Sequence, residues 1–208
     1  MKQENEVEIK LTLPKMSLVE LILKDSFVLY YAESNLVQEQ DFEAIYLDSV
    51  HGKLQKSGYA YRIRKEDQRW VATVKTRGVS KDGLHERREY NVNINEPIPR
   101  LDYFVDHGID IDLKNALGDH SLIELFRTIF TRKTIDLNIG KTLIELAIDI
   151  GEIVAGDKRE PIAEVELELK SGEIEDLLKV SERLINKYGL VKEDKSKFYR
   201  GLLLTGNI

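Results

Sequence analysis

Residues 6–13, Glu-Val-Glu-Ile-Lys-Leu-Thr-Leu, alternate polar and apolar without a break. Successive side chains of a β-strand point to opposite faces, so Glu6, Glu8 and Lys10 share one face and Val7, Ile9, Leu11 and Leu13 the other. Alone, such a stretch is an ordinary half-buried strand. A second segment repeats the pattern with more charge: in residues 162–170, Glu164, Glu166, Glu168 and Lys170 oppose Ala163, Val165, Leu167 and Leu169. Two carboxylates about 4 Å apart at an effective dielectric of about 20 repel by about 4 kcal/mol. Bringing these acids together with Glu6 and Glu8 in one cavity therefore demands cations, either metal ions or a lining of Lys and Arg.

Cationic strand faces are present. In Tyr59-Ala60-Tyr61-Arg62-Ile63-Arg64 the two arginines share a face, and in residues 69–76 Lys75 lies on the Val71/Thr73 face. Residues 84–94 place Arg87, Glu89, Asn91 and Asn93 opposite Tyr90, Val92 and Ile94. Further strands are expected at 42–48, 128–138 and 142–150, the last placing Glu145, Ala147 and Asp149 together. Residues 78–83 read as a hairpin loop, and 138–141 (Asn-Ile-Gly-Lys) as a turn. Helices are expected at 17–24 with Ser17 as N-cap, at 173–187 with Leu177, Leu178, Val180, Leu184 and Ile185 as its buried stripe, and at 195–204. Residues 101–126 are mostly helical or irregular, and residues 51–57 form a turn or single helical turn.

At least seven strands, joined by short turns and few helices, predict an α+β fold: a closed antiparallel β-barrel with helices packed outside, in one domain over residues 1–208. With the apolar faces toward the helices, the charged faces line a lumen, and about eight strands enclose room for one small ligand. The lumen then has an acidic side (Glu6, Glu8, Asp149, Glu164 or its neighbours, Glu166 and Glu168). Its basic side has Lys10, Arg62, Arg64, Lys75, Arg87, Arg132, Lys197 and Arg200. Buried charge at this density is unfavourable unless paired or ligated. A polyphosphate with Mg²⁺ or Mn²⁺ answers both walls, because hard oxygen donors suit those metals and guanidinium forks suit phosphate oxygens.

The same residues resemble the CYTH proteins, the triphosphate tunnel metalloenzymes. Glu6-Val7-Glu8-Ile9-Lys10 is similar to their N-terminal E-x-E-x-K signature, Arg62-Ile63-Arg64 to their R-x-R strand, and Lys75 to the lysine after it. Glu89 matches a tunnel glutamate, Asp149 an acidic position, Arg132 a basic one, and Glu166/Glu168 the late E-x-E. Residues 83–92 and 160–172 look most like the bacterial inorganic triphosphatase branch, without the CHAD domain that often accompanies it. Lys195-Ser196-Lys197-Phe198-Tyr199-Arg200 stands in place of a K-R-Y-x-N type motif, which leaves the roles of Lys197 and Arg200 open.

The resemblance implies an eight-stranded tunnel that hydrolyses inorganic triphosphate with Mg²⁺ or Mn²⁺. Lys10, Arg62, Arg64, Lys75, Arg87, Arg132 and Arg200 would hold phosphate oxygens. Glu6, Glu8, Asp149, Glu166 and Glu168 would ligate metal, Glu89 would orient water or an arginine, and Lys197 would close the tunnel. Thiamine triphosphatase, class IV adenylyl cyclase and a noncatalytic binder of polyphosphate or nucleotide remain alternatives.

Composition excludes other chemistries. The chain has no cysteine, hence no disulfide, thiolate metal site or cysteine nucleophile. A net charge of −6 disfavours nonspecific nucleic-acid or anionic-membrane partners and leaves a small-molecule triphosphate as the expected one. No apolar run reaches about 18 residues and no signal-like segment opens the chain, so a cytosolic location is expected and the oligomeric state stays open. P-loop, G-x-S-x-G and dinucleotide glycine fingerprints are missing, so phosphate recognition falls to side chains. His51, His85, His107 and His120 lack metal-ligand spacing. Trp70, Tyr59 and Tyr61 fit outer packing, and residues 106–112 read as a solvated loop without EF-hand spacing.

Overall fold

The computed structural model describes residues 2–34, 36–66 and 68–206, with side chains from Asn5 onward. Among these residues ten strands form: β1 (Lys2–Thr12), β2 (Gln38–Asp48), β3 (Tyr59–Glu66), β4 (Arg69–Thr76), β5 (Val79–Lys81), β6 (Leu84–Ile94), β7 (Ile123–Ile139), β8 (Thr142–Ala155), β9 (Lys158–Ser171) and β10 (Val191–Lys192). The helices are α1 (Leu18–Leu23), α2 (Ser26–Tyr31), α3 (Lys53–Lys56), α4 (Asp110–Leu117), α5 (Ile174–Tyr188) and α6 (Lys197–Thr205), with a 3-10 helix at Asp102–His107.

Eight strands close on themselves in the order β1, β9, β8, β7, β2, β3, β4, β6 and back to β1, every neighbour antiparallel. Closure removes the exposed edges that an open sheet of this length would leave. β5 and β10 are short additions on β6 and β1. Pairing sets the side-chain period of two in register around the wall: Lys10 lies opposite Glu166, Glu8 opposite Glu168, Glu6 opposite Arg87, and Arg132 opposite Asp149.

The apolar faces turn outward, as the alternation predicts, and each half of the barrel meets its own helices. Ile9, Leu11, Leu146, Val165 and Leu167 pack with Val19 and Ile22 of α1 and with Leu177, Val180 and Leu184 of α5. Complete burial of a side chain such as Leu177 stabilises by roughly 1.5–3 kcal/mol. Across the barrel, Tyr61, Ile63, Ala72 and Val74 pack with Leu54, Phe104, Leu113 and Leu117. Trp70 joins this second cluster, the packing role expected for it and for Tyr61, whereas Tyr59 packs there and also lines the cavity. A third cluster lies around one end of the barrel, where Leu202 and Phe198 of α6 meet Phe42, Tyr46, Phe126 and Phe130. The last helix thus covers a tunnel end, whereas the outer helices only back the wall.

Several local expectations need correction. Ser17 precedes α1 but sits in the helical region and makes no side-chain cap; Asp25 is the capping residue, accepting from Phe27 N at 2.7 Å to start α2, a helix the sequence pattern did not reveal. Leu178 is 39% exposed, off the buried stripe of α5, because that stripe follows positions 177, 180, 181 and 184. Residues 78–83 contain the strand β5, and residues 106–112 are the end of a 3-10 helix and the first turn of α4, with Asp110 buried and paired to Lys114 at 2.9 Å.

Candidate active site

The bore holds a cavity of about 730 Å³, within the range of small-molecule sites, lined almost wholly by polar and charged side chains plus an aromatic cluster. Glu6, Glu8 and Lys10 reach it from β1, Arg62 and Arg64 from β3, Lys75 from β4, Arg87 and Glu89 from β6, Arg132 from β7, Glu166 and Glu168 from β9, and Lys197 from α6. Strand alternation brings together all of these but Lys197, which α6 carries in.

Three residues expected on the lumen walls stand apart from the lining: Glu164, Asp149 and Arg200. Asp149 is fully buried behind it and receives a bidentate fork from Arg132, both distances 2.6 Å, and the Lys197 ammonium at 2.6 Å. Arg200 points away to Glu160, at 2.6 Å, and the Pro161 carbonyl, at 2.5 Å.

The ion pairs divide into four groups. At the centre, Glu166 accepts from Lys10, from Arg132, and from Lys197 at 2.9 Å. Burial alone would raise this carboxyl, but the three cations hold it well below its ordinary value. Asp149 is likewise lowered against burial by Arg132 and Lys197. Beside this group, Glu6 bridges Lys75 at 2.8 Å and Arg87 at 2.6 Å, and despite burial these two cations keep its carboxyl well below the usual range. Glu89 pairs with Lys75 at 2.7 Å and faces Arg62 at 3.7 Å; again the cations outweigh burial and lower it.

The other groups are unevenly neutralised. Arg64 has Glu66 as partner, its Nε donating at 2.8 Å, yet burial and the neighbouring Arg62 and Arg132 bring its guanidinium below its ordinary value. Arg62 also holds a buried Nε with no acceptor among the described residues. Glu168 behaves oppositely: burial pushes its carboxyl up, Glu145 and Glu6 add to the push, and Lys170 at 2.9 Å only partly offsets it. Glu8 and Glu145 both stand directly across from Glu168 on the flanking strands, an arrangement that is unfavourable for like charges. Oxygen donors short of positive charge suit a hard divalent cation, but among the described residues the carboxylate oxygens of Glu8, Glu145 and Glu168 are not gathered within 4.8 Å of one another. The tighter cluster of Asp149, Glu164 and Glu166 already encloses the Lys197 ammonium.

Aromatic rings floor the cationic region. Arg64 lies 4.7 Å from the Phe42 ring centroid, Lys197 5.1 Å from Phe130, and Arg132 5.8 Å from Phe130. These rings, with Tyr46 and Phe198, were not anticipated. The available signal was parity, since Phe130 lies two residues from Arg132 on the same strand. Glu145, Glu66 and Lys170 were likewise missed as lining residues. His85 is buried and held by the Glu193 carbonyl at 2.9 Å, outside the cavity.

The CYTH domain profile matches residues 4–202. The chain belongs to the CYTH family. It is 32% identical over 206 residues to an inorganic triphosphatase of Haemophilus influenzae, covering 96% of this chain but only 54% of that protein, about half its length. Among solved structures, the CYTH barrel is similar to that of the Hippeastrum protein HpAC1, named for adenylyl cyclase and described as showing a dominant triphosphatase activity. The TM-score is 0.64 at 19% identity, over 98% of this chain and 97% of that one. A Bacillus halodurans protein named for adenylate cyclase gives a TM-score of 0.61 at 15% identity, over 96% and 98% of the two chains. These two likenesses concern the fold. No helix among the described residues is long and apolar enough to cross a membrane.

Proposed function

We propose that this chain hydrolyses a linear inorganic triphosphate inside the bore. Water adds to the terminal phosphorus, the anhydride P–O bond breaks, and pyrophosphate and phosphate leave. The observation that carries this proposal is the opposed crowding within one cavity: guanidinium groups at Arg62, Arg64 and Arg132 against carboxylates at Glu6, Glu145 and Glu168. A ligand with several negative charges relieves the first and, with a divalent cation between, the second. The likeness to the Haemophilus inorganic triphosphatase supports the substrate class.

Glu6, Glu8, Glu166 and Glu168 offer the oxygen donors a metal requires. Asp149 lies behind them and acts on the site by holding Arg132 and Lys197. When bound, Mg²⁺ or Mn²⁺ supplies charge neutralisation and acidifies water. The remaining chemistry belongs to the side chains. Arg62, Arg64 and Arg132 present planar forks to non-bridging phosphate oxygens and stabilise the charge that spreads over them during transfer. Lys10, Lys75 and Arg87, paired with acids in this structure, exchange part of that pairing for phosphate oxygens. Glu89 orients Lys75 and Arg62. Lys197, carried by α6, meets the phosphates at the covered end, and the Phe42 and Phe130 rings exclude water beneath the cations. In this proposal residues 1–208 form one domain working in the cytosol.

An organic triphosphate is the second candidate, because about 730 Å³ exceeds what a bare triphosphate fills and the end near Tyr46 and Phe198 is aromatic. Phosphate release from tripolyphosphate, thiamine triphosphate and ATP, each with Mg²⁺, Mn²⁺ or EDTA, separates the possibilities. The proposal expects metal-dependent release fastest from tripolyphosphate. Faster release from thiamine triphosphate, cyclic AMP from ATP, or tight binding without turnover each overturns it.

A further inference from the structure

Glu164 shares a strand face with Glu166 and Glu168 but not their surroundings. Its side chain is 2% exposed and does not reach the cavity. One carboxylate oxygen contacts the Lys197 ammonium; the other faces Arg200 Nη1 at 3.4 Å. Lys197 and Arg200 lie three residues apart on α6 and so project from the same side of the helix. The remaining nitrogens of the Arg200 fork are taken by Glu160 and the Pro161 carbonyl, also on β9. The helix backbone is pressed close to the barrel as well: a Cβ on Gly201 would overlap the Phe126 ring. Through this arrangement α6 is fastened to the first half of β9 by one guanidinium and one shared carboxylate.

We propose that Glu164 and Arg200 are positioning residues, which hold α6 so that the Lys197 ammonium stands at the level of Asp149 and Glu166. The proposal rests on the triphosphatase function for its kinetic consequence but not for its structural one. A lysine side chain has four rotatable bonds and no fixed fork, so its ammonium keeps one place only when its surroundings impose it. Asp149 and Glu166 cannot do this alone, because both are shared with Arg132, and Glu166 also with Lys10. Glu164 adds a contact on the side away from the cavity, and Arg200 fixes Glu164 in turn. Arg200, expected from the sequence to bind phosphate, is thereby assigned to the helix mooring.

Hydrogen exchange on the full chain tests the structural half, comparing wild type with Glu164→Gln and Arg200→Met. Amides of residues 197–205 should exchange about tenfold faster in both variants, the size expected for losing one charge-assisted contact. Exchange in β7 and β8 should be unchanged. Arg200→Met reaches the same contact from its more accessible end, so a folding defect specific to Glu164→Gln does not blunt the test. In tripolyphosphate hydrolysis with Mg²⁺, Glu164→Gln should lower kcat about tenfold and add no further loss in a Lys197→Met background. Unchanged exchange of α6, or a full additional loss on top of Lys197→Met, overturns the proposal. An inactive wild-type protein would sink the triphosphatase function, and the exchange result would still decide the mooring.

Discussion

Glu166 and Glu168 stand two residues apart on one strand, and their surroundings push them in opposite directions. Glu166, at the enclosed centre, is matched by three cations and held well below its ordinary pKa. Glu168, whose side chain is 25% exposed, faces carboxylates on both neighbouring strands and is raised. Arg64 is the basic counterpart of Glu168, a guanidinium crowded by two others and lowered. The centre is therefore neutralised within the protein and keeps the barrel's shape. The two flanks carry incompletely compensated charge that favours incoming ligands of opposite sign, at the expense of the free protein's stability.

The sharpest way to break this comparison is Arg64→Met. Loss of a phosphate-facing guanidinium should lower kcat/KM for tripolyphosphate by about 10³-fold, while thermal melting stays level or rises because repulsion with Arg62 and Arg132 is relieved. A variant that loses activity and melts earlier in parallel would show that Arg64 is structural. Next in size, Glu166→Gln should lower the unfolding free energy measured in urea by about 3 kcal/mol, since it leaves Lys10, Lys197 and Arg132 short of negative charge. The same substitution two residues on, Glu168→Gln, should instead raise unfolding free energy by up to about 1 kcal/mol without metal. It should also abolish the upward melting shift that Mg²⁺ gives the wild type.

The smallest effect concerns pH. Glu166, lowered in the folded state, contributes stability above the ordinary carboxyl range, and that contribution is lost as pH falls. Glu168, raised in the folded state, contributes at low pH and loses its contribution as pH rises through its folded pKa. Glu145→Gln removes one of the negative charges acting on Glu168, so Glu168 ionises more readily. The acid limb of the Mg²⁺-induced melting shift should then move to lower pH by about half a unit. A move to higher pH would mean that Glu145 acts on Glu168 chiefly through the shared Lys170, which Glu145 contacts at 3.5 Å.

Much of the barrel was legible because strand alternation is a two-fold code that survives tertiary packing. Glu6, Glu8 and Lys10, or Arg62 and Arg64, had to share a face wherever the strand lay, and the apolar complement had to meet helices. Depth along the bore was not legible in the same way. Parity put Glu164 with Glu166 and Glu168, but whether an inward side chain meets ligand space or the buried side of a helix depends on α6, placed by distant contacts such as that of Arg200 with Glu160, 40 positions apart in sequence. The places of Asp149 and Arg200 outside the cavity lining were hidden for the same reason. The aromatic floor escaped notice because apolar residues on an expected polar face, such as Phe130 beside Arg132, read as interruptions of the pattern. Asp25 was overlooked as a cap because two short helices follow each other closely there, and the apolar run before it gave no break in periodicity.

β1 seals the barrel by pairing on one side with β6 and on the other with β9, so that Glu8 finds its partner at Glu168. During synthesis this strand leaves the ribosome long before β9 exists. Its second ladder must wait for most of the polypeptide, while the β7–β8–β9 meander assembles from near neighbours. Such distant pairing makes for slow folding and a prolonged interval with an unpaired edge. The seam at β1 is accordingly where a nascent chain of this kind is most exposed to mispairing with another copy of itself.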